Sequence, residues 1–334
     1  MNALLHHCRA GLMVALLVGG AVAGWPSAGA TELPSEDGVD AESEPDCCRT
    51  LDVWVASTRS LPGTCHGPAA ADLRVERLAG GGSCRFWERA GLGELLSAPE
   101  RPLVIFIHGN RYDSGDAKSQ GLRLAGRLSD CCPGAPTPRV VVFSWPSQKQ
   151  GMLLKDGRLK YERAYTDGRY LAGFLGQVQP EQSVAILGYS SGALVAAEAL
   201  ENLADIEPVA SPGLRWAERP GRTHLVFVVP ALRSDAFAPR GPFRSMLDGL
   251  DRFTLLINSR DEALRFFPLL EPDVKSEALG FVGMPRRWLP GNLEYVATDA
   301  SNVVGKMHTM RRYLDSGILS NRMAAGLLDG LTND

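Results

Sequence analysis

The sequence predicts an α/β fold with a doubly wound, mostly parallel sheet. Short apolar segments alternate with segments of helical periodicity from residue 51 to the end of the chain. Most of the apolar segments are continuous runs, as expected of strands that are buried on both faces of a parallel sheet. Strands that alternate with helices in this way favour a doubly wound architecture.

Each apolar run is predicted as a strand and each periodic segment between runs as a helix. Leu51–Ser57 and Ser83–Glu88 are predicted as edge strands. The remaining strands are Leu103–Ile107, Arg139–Ser144, Ser183–Leu187, Leu225–Val229, Phe253–Ile257 and Leu293–Ala297. The helices are Ala117–Leu128, Tyr161–Gln177, Ser191–Leu203, Glu262–Leu270, His308–Leu314 and Leu319–Leu328. Two stretches rich in Gly, Pro, Lys and Arg are predicted as loops that roof an active site, Gln148–Arg158 and Ala231–Leu250.

Residues 1–30 have the pattern of a secretory signal peptide. Arg9 precedes an apolar run from Gly11 to Gly24, and Ala28-Gly29-Ala30 suits cleavage after Ala30. The run is shorter than the about 20 residues that a transmembrane helix needs. We therefore expect an exported protein, periplasmic or secreted, with no stable membrane insertion after cleavage. An uncleaved membrane anchor is the alternative.

Composition divides the rest of the chain and narrows the class of partner. Residues 31–46 are predicted as an acidic disordered linker, since they are rich in carboxylates and lack bases. Residues 47–334 are predicted as one α/β domain, in which residues 47–99 form a cysteine-containing N-terminal extension. The net charge is −3 and no dense basic cluster is present, which disfavours nucleic acid as a partner. A small-molecule substrate is favoured, and the sequence indicates no oligomeric state.

The cysteines predict disulfides. Cys8 leaves with the signal peptide, and an even set remains: Cys47, Cys48, Cys65, Cys84, Cys131 and Cys132. An even set in an exported chain is typical of disulfides. The preferred pairing joins Cys65 to Cys84 and cross-links the pair Cys47-Cys48 with the pair Cys131-Cys132, but the sequence does not determine the connectivity. A metal site is disfavoured, because the spacing Cys-x-x-Cys does not occur and only His66 lies near.

Gly188-Tyr-Ser190-Ser-Gly192 lies between an apolar strand and a helix, which is the context of a nucleophile elbow. On such a tight turn, only small residues fit at the second position before the serine and at the second position after it. Gly188 and Gly192 occupy these two positions. Free N–H groups at the start of the helix stabilise negative charge on a substrate oxygen. Ser190 is therefore predicted as a nucleophile, and an inert serine on a glycine-rich turn is the alternative.

A serine nucleophile needs a histidine as base and an acid that holds the histidine tautomer. After a nucleophile elbow the acid comes next along the chain and the histidine last. His308 follows every acidic candidate and is predicted as the base. Asp261, in the turn after the strand Phe253–Ile257, is predicted as the acid, with a helix N-cap as its alternative role. Asp235 is the reserve acid, and Glu262 is a third candidate.

The oxyanion hole needs two N–H donors. One is predicted to be the backbone of Ser191, directly after the nucleophile. The other is predicted to be the backbone of Asn110, in the loop that follows the strand Leu103–Ile107. Gly109 lets this loop pass close to a substrate. His108 is predicted to brace the loop, since it precedes the nucleophile and is a poor candidate for the base.

These segments together resemble the α/β-hydrolase superfamily. They are Phe106-Ile-His-Gly-Asn-Arg111, Phe143-Ser-Trp-Pro-Ser147, Gly188–Gly192, Ser259-Arg-Asp261 and His308. The first two are similar to those of a largely uncharacterised group of bacterial serine hydrolases, and the match spans roughly residues 100–314. The resemblance implies a serine hydrolase with Ser190, Asp261 and His308 in the triad roles. Asn110 departs from the bulky residue that usually follows His-Gly in that group.

The sequence thus predicts an exported serine hydrolase with a small ester-like substrate. A carboxylesterase that forms an acyl-enzyme intermediate is the preferred activity. Lipase, thioesterase and peptidase are enzymatic alternatives, because they share this machinery. A binding or envelope protein that keeps the fold without the chemistry is the alternative from another class. The proposed mechanism requires no metal and no organic cofactor.

Overall fold

The structure is a computed structural model, and it describes residues 51–64, 73–81, 84–131, 137–151, 153–204, 213–270 and 276–331. The chain divides into two units, Met1–Pro45 and Asp46–Asp334, and every described residue belongs to the second. The predicted signal peptide and the acidic linker lie outside the described residues. So do most of the predicted disulfide partners, Cys47, Cys48, Cys65 and Cys132, together with the side chain of Cys131.

A nine-stranded sheet forms the centre of the described part of the chain. Its strands are β1 (Val53–Ser57), β2 (Arg74–Ala79), β3 (Phe86–Ala90), β4 (Leu103–Ile107), β5 (Arg139–Ser144), β6 (Val184–Tyr189), β7 (Thr223–Val228), β8 (Arg252–Ile257) and β9 (Glu294–Asp299). Their order across the sheet is β3-β2-β1-β5-β4-β6-β7-β8-β9. The pairs β1/β2 and β2/β3 are antiparallel, and the other neighbouring strands are parallel. The predicted doubly wound, mostly parallel α/β fold is confirmed.

Helices alternate with the strands along the chain. They are α1 (Leu92–Leu95), α2 (Ser114–Cys131), α3 (Leu153–Leu175), α4 (Gly192–Ala204), α5 (Leu279–Val282), α6 (Ser301–Val304), α7 (Met310–Asp315) and α8 (Gly317–Leu328). α2 packs with α7 and α8, and α3 packs with α4. Among the described helices, none is both long and apolar enough to cross a membrane.

The central parallel strands are buried along their whole length. Every residue of β4, β5, β6 and β7 is buried. Strands covered on both faces need apolar side chains at every position, and for this reason these segments appear as continuous apolar runs in the sequence. The predicted bounds of β4 and β5 agree with the structure to the residue.

The structure differs from the sequence predictions in several elements, and the 3₁₀ helix Ser245–Gly249 within the predicted loop Ala231–Leu250 is one of them. β1 is an internal strand between β2 and β5, although an edge position was expected. The segment Leu264–Leu269 is a 3₁₀ helix that contains Pro268, where an α-helix was expected. α3 begins at Leu153, so the second half of the predicted loop Gln148–Arg158 is helical.

The strand order reverses at β4, because β5 pairs on one side of β4 and β6 pairs on the other. In an open parallel sheet, such a reversal leaves a crevice at the carboxyl ends of the strands, where ligands bind. The loop after β4 and the turn after β6 both meet at this edge, which places the predicted site residues there.

Candidate active site

Ser190 lies on a strained turn between β6 and α4. Its φ is 53°, a left-handed conformation that is uncommon for a residue other than glycine. The turn is held from both sides, because the Ser190 N–H donates to Val228 O at 3.0 Å. In turn, the Ser190 carbonyl accepts from Ala231 N at 3.0 Å and from Ala193 N at 3.1 Å. These bonds hold the side chain at the carboxyl edge of the sheet.

Both glycines of the elbow are required by close approaches. A Cβ on Gly192 would lie 2.2 Å from the carbonyl oxygen of Ile107, at the end of β4. A Cβ on Gly188 would lie 2.8 Å from the Cα of Ala193. The start of α4 therefore rests directly on the end of β4, which only a residue without a side chain permits.

His308 joins Ser190 to Asp261 through two short hydrogen bonds. His308 Nε2 lies 2.8 Å from Ser190 Oγ, and His308 Nδ1 lies 2.7 Å from Asp261 Oδ2. An ionised carboxylate only accepts, so Nδ1 carries a proton and Nε2 of the neutral ring accepts from the serine hydroxyl. Ser190 and Asp261 are buried. This arrangement can remove the serine proton and hold the resulting imidazolium.

The second oxygen of Asp261 caps the segment that follows it. Asp261 Oδ1 accepts from Ala263 N at 2.9 Å and from Leu264 N at 3.0 Å. The predicted capping role and the contact with His308 therefore coexist on one carboxylate. Because each oxygen has its own hydrogen-bond partners, the orientation of the carboxylate is fixed.

Two residues that the sequence did not indicate position the histidine loop. The Asn258 side-chain amide donates to Gly305 O at 2.9 Å and thereby ties the acid turn to the loop before His308. The Tyr189 hydroxyl donates to His308 O at 3.0 Å, and its ring lies 5.5 Å from the imidazole. Burial raises the pKa of Tyr189 well above its usual range, so its hydroxyl stays a donor.

The other acidic candidates are not brought to His308. Asp235 forms a two-pronged ion pair with Arg233, with both N–O distances at 2.6 Å. The hydrogen bond from Arg233 lowers the pKa of Asp235, whose side chain is partly exposed. Glu262 is exposed and pairs with Lys306 at 3.0 Å.

The loop after β4 passes beside the nucleophile. A Cβ on Gly109 would lie 3.0 Å from the Cβ of Ser190, which places this loop against the serine. In the part of the chain that the structure describes, the N–H groups of Asn110 and Ser191 donate to no protein acceptor. The neighbouring N–H of Arg111, in contrast, donates to Ser147 O at 2.7 Å. Neither predicted oxyanion donor is therefore used by a protein acceptor within these residues.

His108 is buried beneath this loop. Its ring stacks between Tyr112 and Trp145, with centroid distances of 5.3 and 5.8 Å. The Trp145 indole N–H donates to His108 O at 2.8 Å. Burial is the main cause that lowers the pKa of His108 to about 3, so the ring is neutral near neutral pH. The side chain stacks on the two aromatic rings, and its predicted role of bracing the loop stays a prediction.

Within the described residues, no group of three or more His, Cys, Asp or Glu side chains is placed to hold a metal ion.

Comparison with known proteins gives a family match. Residues 87–282 match the profile of a family described as "Alpha/beta hydrolase of unknown function (DUF900)". A search of the curated proteins found no match.

Solved structures show weaker similarity. Esterase B from Lactobacillus rhamnosis is 15% identical over 76% of this chain and 82% of that chain, with a TM-score of 0.37. The product of the gene lin2722 from Listeria innocua is 11% identical over 68% of this chain and 93% of that chain, with a TM-score of 0.35.

Proposed function

The chain belongs to the α/β-hydrolase family of unknown function that its residues 87–282 match, and we propose that it is an exported serine hydrolase, a carboxylesterase. The hydrogen-bonded line from Asp261 through His308 to Ser190 carries this proposal, with its distances of 2.7 and 2.8 Å. Membership of the family makes the chain a hydrolase, and the three side chains supply the chemistry of a serine mechanism.

Acylation begins at Ser190. Its Oγ attacks the substrate carbonyl carbon while His308 Nε2 takes the hydroxyl proton. The buried Asp261 stabilises the imidazolium through its hydrogen bond to Nδ1. The C–O bond to the leaving alcohol then breaks, and the imidazolium protonates the departing oxygen. An acyl-Ser190 ester and a free alcohol result.

Deacylation repeats these steps with water. His308 removes a proton from a water molecule, whose oxygen attacks the acyl carbon, and the imidazolium then returns the proton to Ser190 Oγ. In both steps the carbonyl oxygen becomes an anion. The N–H groups of Asn110 and Ser191 are assigned to that anion, since neither donates to a protein acceptor among the described residues and both belong to segments that adjoin Ser190. Removing one such donor typically costs about 100- to 1,000-fold in rate.

Lipase, thioesterase and peptidase activities use the same steps and differ in the shape of the substrate pocket. A binding protein on the same fold would be expected to lack one of the three side chains, whereas all three are in contact here. For these reasons an enzyme that acts on a small ester is the preferred function.

A substrate panel tests this function. Purified protein is assayed with p-nitrophenyl esters of increasing acyl length, a thioester and a peptide anilide, each beside the Ser190→Ala variant. We expect hydrolysis of short esters by the wild type only. If the wild type hydrolyses the thioester or the anilide but none of the esters, the proposal moves to one of the alternatives. A wild type that hydrolyses no substrate of the panel would contradict the proposal.

A further inference from the structure

Arg59 lies at the carboxyl edge of the sheet, although it belongs to the N-terminal extension. It follows β1, whose last residue, Ser57, pairs with Ser144 at the end of β5. The Thr58 N–H continues this pairing by donating to Ser144 O at 3.1 Å. Arg59 therefore emerges beside the loops that follow β4 and β5. It precedes the part of the chain that matches the hydrolase family.

The half-buried guanidinium of Arg59 connects these two loops. Nε donates to Ser144 Oγ, at the end of β5, at 2.8 Å, and Nη1 donates to Gln148 Oε1, in the loop after β5, at 2.7 Å. Nη2 donates to Tyr112 O at 3.1 Å and lies 3.4 Å from His108 Nε2, both in the loop after β4. The planar guanidinium has donors at fixed angles, so one side chain sets the separation of the two loops.

The contact with His108 agrees with the protonation of that ring. His108 Nδ1 lies 2.9 Å from Gly109 O, which only accepts, so Nδ1 carries the proton. Nε2 of the neutral ring is then an acceptor, and it faces the Arg59 donor. Arg59 in this way keeps the imidazole oriented at the root of the loop that carries Asn110.

Between His108 and Tyr112, the two residues of this loop that Arg59 contacts, the backbone is strained. Arg111 has a φ of 69°, and its N–H is tied to Ser147 O. The Ser147 hydroxyl in turn donates to Tyr112 O at 3.2 Å. Because a residue stays in a left-handed conformation only while its surroundings fix it, the loop depends on these anchors.

We propose that Arg59 is a positioning residue of the oxyanion hole: it clamps the loop after β4 to the loop after β5 and so holds the Asn110 N–H beside Ser190. This inference rests on the proposed function. It also assigns a role to the N-terminal extension, which delivers the clamp through β1.

Kinetics of Arg59→Met test the clamp. A misplaced oxyanion donor weakens binding of the transition state more than binding of the substrate. We expect kcat for a short p-nitrophenyl ester to fall by about 100-fold, with a much smaller change in KM. Affinity for a trifluoromethyl ketone, which forms a tetrahedral oxyanion adduct, should fall by a similar factor. Arg59→Lys keeps the charge but not the planar set of donors, so its kcat should lie between that of the wild type and that of Arg59→Met.

Arg139→Met is the matched control. Arg139 is a buried arginine at the opposite end of β5, where its Nε bonds Asp52 at 2.9 Å. Its loss should lower the melting temperature and leave kcat of the folded protein unchanged.

A folded Arg59→Met protein with wild-type kcat and ketone affinity would overturn the clamp, as would equal kcat losses in both variants. If Arg59→Met does not fold, wild-type kcat in Arg59→Lys would overturn it. Wild type that neither hydrolyses esters nor reacts with a fluorophosphonate would instead overturn the proposed function, and the clamp with it.

Discussion

At the scale of single residues, the hydrogen bonds of the candidate site determine which ring nitrogen of each histidine donates and which accepts. Asp261 only accepts, which fixes the proton of His308 on Nδ1 and turns Nε2 towards Ser190. The same reasoning fixes His108 with its proton towards Gly109. The two histidines at this edge of the sheet thus differ in their surroundings: His308 contacts Ser190, and His108 is buried beneath the loop after β4.

Replacing the acid tests this reading. Asp261→Asn should lower kcat by about 10⁴-fold with the fold retained, since an amide does not stabilise the imidazolium and favours the wrong histidine tautomer. Steady-state kinetics with a short ester give the measurement. Asp235→Asn is the control and should retain most of the activity, because Asp235 pairs with Arg233. A larger loss in Asp235→Asn would move the role of the acid to that residue.

The main residues of the candidate site were recognisable in the sequence because each has a local signal or a characteristic place in the chain order. Ser190 stands in a strand-turn-helix context, and His308 follows every acidic candidate. Tyr189, Asn258 and Arg59 were not predictable. They act through contacts with loops that are distant in sequence, and nothing in their immediate surroundings marks those contacts.

At the scale of elements, the strands buried on both faces gave the clearest signal in the sequence. β4 to β7 are covered on both faces and appear as apolar runs. β2 was missed because it is partly exposed and carries charged residues, such as Arg77, which pairs with Glu88 on β3. β1 was assigned to an edge because its neighbour β2 was not recognised.

The contact between α4 and β4 gives an element-scale prediction. Gly192→Ala should lower stability by about 1–3 kcal/mol and reduce activity, because the new Cβ would press on the Ile107 carbonyl. Gly126→Ala in α2 is the control, since no atom outside the helix lies within 4 Å of its new Cβ. This variant should be neutral or stabilised by up to about 1 kcal/mol. Thermal unfolding compares them, and equal melting temperatures would contradict the close packing of the elbow.

At the scale of the whole molecule, buried neutral histidines make stability depend on pH. Burial lowers the pKa of His108 to about 3 and also lowers that of His224, below the usual value of about 6.5. Between these values the unfolded chain binds more protons than the folded one. The free energy of unfolding therefore rises with pH in this window. The contribution of the neutral histidines to stability is lost as the pH falls from about 6.5 towards 3.

Urea unfolding of the wild type and His108→Asn at pH 7 and pH 5 measures this effect. Each such histidine contributes a slope of up to about 1.4 kcal/mol per pH unit. The wild type should lose more stability than His108→Asn over this interval, because the variant lacks one titrating group. Equal losses in the two proteins would show that His108 is not held neutral in the folded state.

The predicted export and disulfide belong to parts of the chain that the structure does not describe. Cys84 is exposed and forms no disulfide with another described residue, while its preferred partner Cys65 lies outside the described residues. Protein recovered from an oxidising compartment should begin at Thr31 and contain a Cys65–Cys84 bridge, worth about 3 kcal/mol in the chain-entropy model. Mass spectrometry of the unreduced protein tests both. An intact N-terminus or a fully alkylatable set of cysteines would contradict the corresponding prediction.

The most direct test of the proposed function is fluorophosphonate labelling of the folded protein, followed by peptide mass spectrometry. Such a probe reacts with a serine that is activated by a neighbouring base and oxyanion donors. We predict a single adduct on Ser190 in the wild type, with none in Ser190→Ala, and a kcat loss of about 10⁴- to 10⁶-fold in that variant. A folded wild type without an adduct, or an adduct that persists in Ser190→Ala, would contradict the assignment of Ser190 as the nucleophile.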